Sequence, residues 1–410
     1  MSDHEYFEKT KFVSALGLSL HQCGATSHRI EQHLTNVCEL LGIHGTFFHT
    51  PTTFTFCFWL DDPAQQHIQM ERIHSNDENL GRLELLDELI ERFAANELNF
   101  EEMRCELDRV LAMPGYYSKW LQCLAWIALA GCFAALLSSN ANDAIVSCLV
   151  TILIFALTQA STRFHRLQAP LEIIAAMVSG ILVTGIAALG VKINVPFVIL
   201  STIVVFIPGL SLTVALSEIA QRDLVSGTSK FVHSVMGLFK LYFGAILGMG
   251  IGAILWGSAA DTIVHEIYTF PDWKTLPIIL GLSFFLLVAF NIHIKQMLWF
   301  ACSSIIGYYV AHSAEAYFSM AASMFLGAFA VGVYSNLYSH IKNAPASMVL
   351  SHGLILLVPG SKTYIILNSW ITGEQMLENS SNGNQAFLIF ISLVAGLLFA
   401  NALIVTRKSL

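Results

Sequence analysis

The sequence predicts a polytopic α-helical membrane protein of about ten transmembrane helices, arranged as two inverted five-helix repeats with broken fourth and ninth helices. A small cytosolic α/β domain is expected at the N-terminus. Three observations predict this fold class. The chain of 410 residues is 55% hydrophobic and only 12% charged, its charges are unevenly distributed, and two distant segments share a Pro-Gly motif within an apolar run.

The charge distribution separates two kinds of structure. Average soluble domains carry about 25% charged residues. Residues 1–117 hold 19 Asp+Glu against 8 Lys+Arg, whereas the remaining 293 residues hold 10 against 13. An acidic first part and a weakly basic, apolar second part indicate a soluble domain followed by a membrane bundle. Neither part has the basic footprint that nucleic-acid binding needs, so no nucleic-acid partner is expected.

Residues 1–115 are predicted to form the α/β domain. Apolar residues three and four apart over residues 8–42 predict helix, interrupted at Gly24 and ended by Gly42. The first residues, MSDHEYFEKTKF, lack the apolar stretch of a secretory signal, so the N-terminus is expected in the cytoplasm.

The rest of this domain is predicted as a sheet followed by two helices. A turn at Thr50-Pro51 precedes a strand in which alternate positions share one face, namely Phe54, Phe56 and Phe58. A third strand around His67–Ile73 would complete an antiparallel three-stranded sheet. Helical periodicity then returns, with a break near Asn96–Asn99.

Apolar runs beyond Pro114-Gly115 predict the spans, since a spanning helix needs about 20 residues. They lie near residues 119–138, 143–161, 170–190, 196–220, 230–257, 275–291, 296–312, 317–338, 345–372 and 385–406. The first five would form one repeat over residues 116–258, and the last five a second repeat over residues 273–410.

Basic residues predict the orientation of these spans. With the N-terminus inside, the outer loops hold only Lys192 and Lys274. The inner loops and ends hold Lys119, Arg163, Arg166, Arg222, Lys230, Lys295, Lys342, Arg407 and Lys408. This bias follows the positive-inside rule. It predicts a multi-pass protein of the bacterial inner (plasma) membrane, in contact with the lipid bilayer and with both termini cytoplasmic.

An internal repeat predicts where a site lies. Residues 195–227 and 344–376 resemble each other, and each contains a break, at Pro208-Gly209 and at Pro359-Gly360. The breaks fall in the fourth and ninth predicted spans. An odd separation gives the two halves opposite orientation, which is the organisation of many secondary transporters.

Helix breaks inside a bilayer are costly unless their free backbone groups line a polar cavity. The positive end of each following half-helix would suit an anionic group. The hydroxyl and ammonium groups of these first turns belong to Ser211, Thr213, Ser361, Lys362 and Thr363. A small carboxylate-bearing substrate is therefore expected near the membrane midplane, between the two breaks. The alternative is that each Pro-Gly only kinks a helix.

Two charged residues of the first repeat are further candidates. Glu218 could carry a coupling proton, or pair with Arg222 one turn later. Lys240 could contact a substrate anion, or it could snorkel or pair with Glu218. Glu172 opens the third span and is expected to act as a helix N-terminal charge.

Polar residues of the third, eighth and ninth spans complete the candidates. Asn336 is assigned to substrate binding, and it and its neighbours could line the pathway or join helices; these neighbours are Ser179, Thr184 and Ser335. His352 could relay coupling protons, with packing or hydrogen bonding as its alternative.

Several segments resemble the threonine/serine exporter family. They are GLSLHQCGATSHRIEQHLTNVCELLG, TPTTF, LLDELI, FIPGLSLTVALSEIAQRDLVSGTSK and LLVPGSKTY. The resemblance covers nearly the whole chain and implies a cytosolic domain joined to ten spans arranged five plus five. It also implies export of threonine or serine driven by an ion gradient, with protons as the expected coupling ion. Small dicarboxylates of the succinate type are the alternative cargo. The chain has Cys23 where the resemblance implies a small hydroxyl residue.

Other function classes have little support in the sequence. It has no GxSxG elbow, P-loop, HExxH or Rossmann fingerprint, so an enzyme and direct ATP drive are not expected. Neither the scattered His nor the eight Cys form a compact ligand motif, so no metal or other cofactor is expected. A membrane-anchored hydrolase or sensor, a passive channel and a homo-oligomer remain open alternatives.

Overall fold

A computed structural model describes residues 3–50, 52–62, 64–73, 79–138, 140–220, 223–257, 272–342, 344, 346–357 and 383–404. Within these ranges the chain is mostly helical, with one antiparallel sheet of strand order β1-β2-β3 close to the N-terminus. The expected helical protein with a small N-terminal sheet is therefore confirmed.

The first elements form what we call the N-terminal region. It comprises α1 Asp3–Gln22, α2 Ser27–Leu41, β1 His44–Thr50, β2 Thr53–Trp59, β3 His67–Arg72, α3 Leu80–Ala94 and α4 Phe100–Ala112. The predicted interruption at Gly24 separates α1 from α2, and the predicted break near Asn96–Asn99 separates α3 from α4. Gly42 ends α2 with φ of 70°, a left-handed conformation that glycine adopts without strain.

The sheet packs its aromatic face on α1 and α2. Phe54, Phe56 and Phe58 are fully buried, as their alternation predicted. Gly17 on α1 makes this close approach possible, because an added Cβ would lie 2.8 Å from Leu34 and 2.9 Å from Phe56. These rings share one buried core with aliphatic side chains such as Leu16, Leu20 and Leu34.

The remaining elements are helices. They are α5 Lys119–Ser138, α6 Ala141–Arg163, α7 His165–Gln168, α8 Leu171–Ala188, α9 Val195–Thr202, α10 Gly209–Ala220, α11 Leu224–Trp256, α12 Asp272–Ala289, α13 Met297–Glu315, α14 Met320–Lys342, α15 Ala346–Leu357 and α16 Gly383–Leu403. Short 3-10 turns occupy Val204–Phe206 and Ile294–Gln296.

Five helices of the described ranges are long and apolar enough to cross a membrane, in α5, α6, α8, α11 and α14. Shorter apolar helices lie at Thr275–Ala289 and Ile391–Leu403. These segments coincide with predicted spans, so the membrane class is supported, while the count of ten and the inverted repeat remain predictions.

Glycines on α11 bring it into backbone contact with α8. A Cβ on Gly244 would lie 2.4 Å from the carbonyl oxygen of Ile173, and one on Gly248 would lie 2.2 Å from that of Met177. Contacts advance along both helices in the same direction, so α8 and α11 are parallel. The chain between them, which contains α9 and α10, must therefore return across the bundle.

Candidate functional site

The helix interruption predicted at Pro208-Gly209 is present. Helix α9 ends at Thr202, a 3-10 turn follows, and α10 begins at Gly209. Proline has no N–H to donate to the preceding turn, which explains why regular helix does not run through this position. Beyond the break, α10 packs on α11 and also touches α15 and α16. The half-helix therefore lies between the first and second predicted repeats.

An ion pair lies beside this break. Lys240 Nζ on α11 is 3.3 Å from Glu172 Oε2 on α8, and both side chains keep about a third of their surface exposed, 35% and 32%. The alternative that Lys240 pairs with Glu218 is wrong, because Lys240 meets Glu172 instead. Glu172 does open a helix, as predicted, but its carboxylate is also the partner of a lysine from a neighbouring helix.

Gly237 connects the ion pair to the break. A Cβ built on Gly237 would lie 3.7 Å from Pro208 Cγ and 3.9 Å from each carboxylate oxygen of Glu172. The Glu172 carboxylate and the Pro208 ring thus both approach α11 at Gly237, where no side chain intervenes. Glu172 is the second residue of α8, so the break is level with the first turn of α8, whereas a midplane site would be level with its middle.

The other end of α10 carries a buried carboxylate. Glu218 is 6% exposed. Its oxygens lie 2.5 Å from Lys230 Nζ, 3.1 Å from Ser226 Oγ and 2.9 Å from Ser27 Oγ, and Ser27 N–H donates to it at 3.3 Å. Arg222, the partner considered from sequence, lies outside the described residues. The lysine that pairs with Glu218 is Lys230, which the sequence had assigned only to an inner loop.

Residues of the N-terminal region surround this carboxylate. His49 Nε2 is 3.3 Å from Ser27 Oγ, and the His21 ring packs edge-on against His49 at 5.1 Å. Burial, followed by the nearby Lys230 and His21, lowers the pKa of His49 to about 3, so its imidazole is neutral at physiological pH. Sequence reasoning missed Ser27 and His49, since no periodicity relates them to position 218.

We call the contacts of Glu218 with Ser27, Ser226 and Lys230 the Glu218 junction. A second carboxylate close to this junction, that of Glu31, has an altered pKa. Burial, followed by the charges of Asp223 and Glu218, raises the pKa of Glu31 to about 7. Glu31 lies one turn after Ser27 on α2. The junction therefore contains an acid that titrates near neutral pH, next to a carboxylate paired with a lysine.

Several predicted site residues cannot be placed. Pro359, Gly360, Ser361, Lys362 and Thr363 lie outside the described residues, as does the side chain of Thr213. Ser211 is in the first turn of α10, as predicted. The proposed second break and its lysine therefore remain predictions.

Two candidates of the second half lie in packed surroundings. The Asn336 amide donates to Asn401 Oδ1 at 2.9 Å and to the Ile404 carbonyl at 2.8 Å, which joins α14 to the end of α16. His352 is fully buried, with the Phe300 ring at 4.2 Å. These contacts favour the helix-joining alternative for Asn336 and the packing alternative for His352.

The remaining polar candidates also make contacts within the bundle. Ser179 Oγ lies 2.9 Å from Thr202 Oγ1, which links α8 to the end of α9 close to the break. Thr184 and Ser335 bond to carbonyls of their own helices, Gly180 at 2.7 Å and Val331 at 2.8 Å. Among these hydroxyls, only Ser179 touches the broken helix.

Comparison with known families decides the class of protein. A family model described as threonine/serine exporter matches residues 11–252, and a second model described as threonine/serine exporter matches residues 279–403. The chain belongs to the threonine/serine exporter family. The two matches together cover both the N-terminal region and the helices of the break.

Curated relatives of this exporter-family chain include fungal proteins. It is 23% identical over 98% of its length to an uncharacterized protein of Schizosaccharomyces pombe, covering 56% of that protein. It is 22% identical to pheromone-regulated membrane protein 10 of Eremothecium gossypii and of Saccharomyces cerevisiae, over 92% and 93% of the chain and 52% and 50% of those proteins. The chain thus spans about half the length of the curated relatives it matches. No solved structure matches it.

Proposed function

We propose that this protein is a secondary active exporter of small polar carboxylate-bearing solutes, with threonine and serine as substrates and protons as the coupling ion. Substrate binds at the Pro208-Gly209 break, with Pro359-Gly360 as its counterpart. The two repeats, residues 116–258 and 273–410, rock against each other to alternate access. The ten spans, the cytosolic domain of residues 1–115 and both cytoplasmic termini in a bacterial inner membrane belong to this proposal.

The observation that carries the proposal is the Glu172–Lys240 pair beside the broken helix. An α-amino acid presents an ammonium and a carboxylate on the same carbon atom. A lysine and a glutamate 3.3 Å apart offer one partner for each, and both are part-exposed. A dicarboxylate has no group for Glu172 and would be repelled by it. The pair therefore favours an amino acid over the dicarboxylate alternative.

A hydrolase is less compatible with the same geometry. Ser27 and His49 are near enough for a nucleophile and its base, at 3.3 Å. However, Ser27 is only 1% exposed and His49 only 2%. The Ser27 hydroxyl also donates to the Glu218 carboxylate at 2.9 Å. These contacts support a structural junction rather than a catalytic one.

Counterflow in proteoliposomes tests the proposal. Vesicles loaded with unlabelled threonine should accumulate labelled threonine and serine, and uptake should respond to an imposed pH gradient. Glu172→Gln and Lys240→Met should each weaken threonine exchange by about 10- to 100-fold, because each removes a charged contact worth about 1.5–3 kcal/mol. Lys192→Met removes an exposed lysine of the same half and should behave as wild type.

The outcomes separate the alternatives. Exchange of succinate without threonine would establish the dicarboxylate alternative. Vesicles that exchange neither solute would exclude the exporter. If Glu172→Gln kept the wild-type affinity for threonine while export persisted, the substrate site would have to lie elsewhere.

A further inference from the structure

Helix α10 joins the substrate break to the N-terminal region. It begins at Gly209, immediately after the break, and carries Glu218 near its other end. At 1.5 Å per residue these positions are about 14 Å apart, and Lys230 and Lys240 are separated by about 15 Å along α11. The two sites are too distant for direct contact. A movement of α10 would nevertheless displace groups at both sites.

The Glu218 junction is built from two parts of the chain. Ser226 and Lys230 come from α11 of the bundle, whereas Ser27 comes from the first turn of α2. Ser27 and Ser226 are each 1% exposed, and their hydroxyl oxygens are 2.7 Å apart. One carboxylate is thus the common acceptor for groups on both sides of a buried interface.

We infer that Ser27 is a positioning residue for Glu218, so that the N-terminal region completes the coupling site and holds the end of α10 while that carboxylate is charged. The inference rests on the proposed function, because it takes Glu218 as the group that exchanges the coupling proton. It gives the N-terminal region a role that the family assignment leaves open.

The physical reason is the strength of contacts to a charged acceptor. Hydrogen bonds to an ionised carboxylate are about twice as strong as neutral ones, and the pairing with Lys230 exists only in that state. Docking and the charged form therefore favour each other, and by linkage a proton on Glu218 weakens docking. The other titratable groups that face this junction are His49, His21, Glu31 and Asp223, with His49 neutral.

The pH profile of export tests the positioning role. Ser27→Ala removes a donor to the charged carboxylate, so the variant should take up the coupling proton more readily. Its export profile should move to higher pH by about one to two units, because the lost hydrogen bond stabilises the charged form of the carboxylate more than its protonated form. Ser226→Ala should shift it in the same direction. Ser19→Ala, a buried serine bonded only within α1 at 2.7 Å, should leave it unchanged.

Hydrogen exchange of the full chain provides a second measurement that needs no change in the N-terminal region. Glu218→Gln should raise exchange several-fold at the start of α2 and leave α4 unchanged. Equal exchange in Glu218→Gln and wild type, or a wild-type pH midpoint in Ser27→Ala, would overturn the inference. If wild-type vesicles exchanged no threonine, the proposed function would be wrong. The hydrogen-exchange comparison of Glu218→Gln with wild type would still show whether Glu218 holds the N-terminal region against α10.

Discussion

At the scale of single residues, a buried ion pair holds α2 to α3. Arg29 Nη2 lies 2.5 Å from Asp87 Oδ1, and the two side chains are 3% and 2% exposed. His33 Nε2 approaches the same oxygen at 3.0 Å. Removing one partner of such a pair leaves an uncompensated buried charge, which costs about 3–5 kcal/mol.

Asp87→Asn should therefore destabilise the N-terminal region by about 3–5 kcal/mol. Cys38 is a suitable reporter, because it is 1% exposed and burial raises its pKa to about 12, so its thiol reacts only after local unfolding. The rate of Cys38 alkylation in the full-length protein should rise by two orders of magnitude or more, at about 1.4 kcal/mol per tenfold.

The matched control for Asp87→Asn is an exposed ion pair in the same region. Arg109 Nη1 and Glu106 Oε1 are 3.3 Å apart, with 68% and 33% of their side chains exposed. Such surface pairs are worth at most about 1 kcal/mol, so Glu106→Gln should change the alkylation rate little. Equal effects of both substitutions would show that the buried pair contributes no more than a surface pair.

Features that depend on neighbouring residues in the sequence could be predicted, whereas contacts between residues that only the fold brings together could not. Alternation identified the buried face of β2, and Gly42 identified the end of α2, because both signals are local. Ser27 and Glu218 are 191 positions apart, and their contact depends on how α2 docks against α10. The same limit explains the wrong partner for Lys240, because Glu172 becomes its neighbour only once α8 and α11 pack in parallel.

At the scale of elements, the parallel packing of α8 on α11 depends on glycines of α11, whose missing side chains let the two backbones meet. A Cβ on Gly248 would lie 2.2 Å from the Met177 carbonyl oxygen, which is closer than any real contact. Gly248→Leu must push the two helices apart, and we expect it to destabilise the protein by about 1–3 kcal/mol. The thermal transition of the detergent-solubilised protein, followed by size exclusion, should move to lower temperature, and the Glu172–Lys240 pair should separate.

The same helix offers a control for this prediction. Gly250 has open space where a Cβ would be, with nothing within 4 Å. Gly250→Leu should keep the wild-type transition temperature, since its side chain meets no neighbour. If Gly248→Leu were as stable as Gly250→Leu, close backbone contact would not be what holds α8 to α11.

The break between α9 and α10 was predictable because Pro208-Gly209 is a local signal with a direct backbone consequence. Its depth was not predictable. Run lengths give where an apolar segment begins and ends, but not its displacement along its neighbours. The approach of both Pro208 and Glu172 to Gly237 places the break level with the first turn of α8.

At the scale of the whole molecule, the described residues show the N-terminal region in contact with the bundle at two places. One is the Glu218 junction. The other is the loop between α12 and α13, where Glu84 Oε1 accepts from Gln296 at 2.7 Å and a Cβ added to Gly81 would lie 2.1 Å from the Asn291 carbonyl oxygen. Since α10 and this loop belong to different predicted repeats, the N-terminal region contacts both of them.

The strength of this docking should depend on pH in two opposite ways. The pKa of Glu31 is raised from 4.5 to about 7, so its protonated form favours docking, and this contribution is lost as pH rises from 4.5 through 7. The pKa of His49 is lowered from 6.5 to about 3, so its contribution is complete above 6.5 and is lost as pH falls through that window. Between pH 4.5 and 6.5 the loss at Glu31 with rising pH is offset by the gain at His49, and outside this range one loss is uncompensated. Docking should therefore be strongest between pH 4.5 and 6.5.

Glu31→Gln isolates the alkaline side of this dependence. The amide cannot ionise, so the variant should dock more firmly than wild type at pH 8 and about equally at pH 5, measured by hydrogen exchange of residues 27–41 in the full chain. Glu39→Gln changes an exposed carboxylate of the same helix and should match wild type at both values. An identical gain in both variants would mean that net charge, rather than the buried position of Glu31 beside Asp223 and Glu218, sets the response. A gain confined to Glu31→Gln would show that the carboxylate of Glu31, beside Asp223 and Glu218, sets the response of α2 to pH near neutrality.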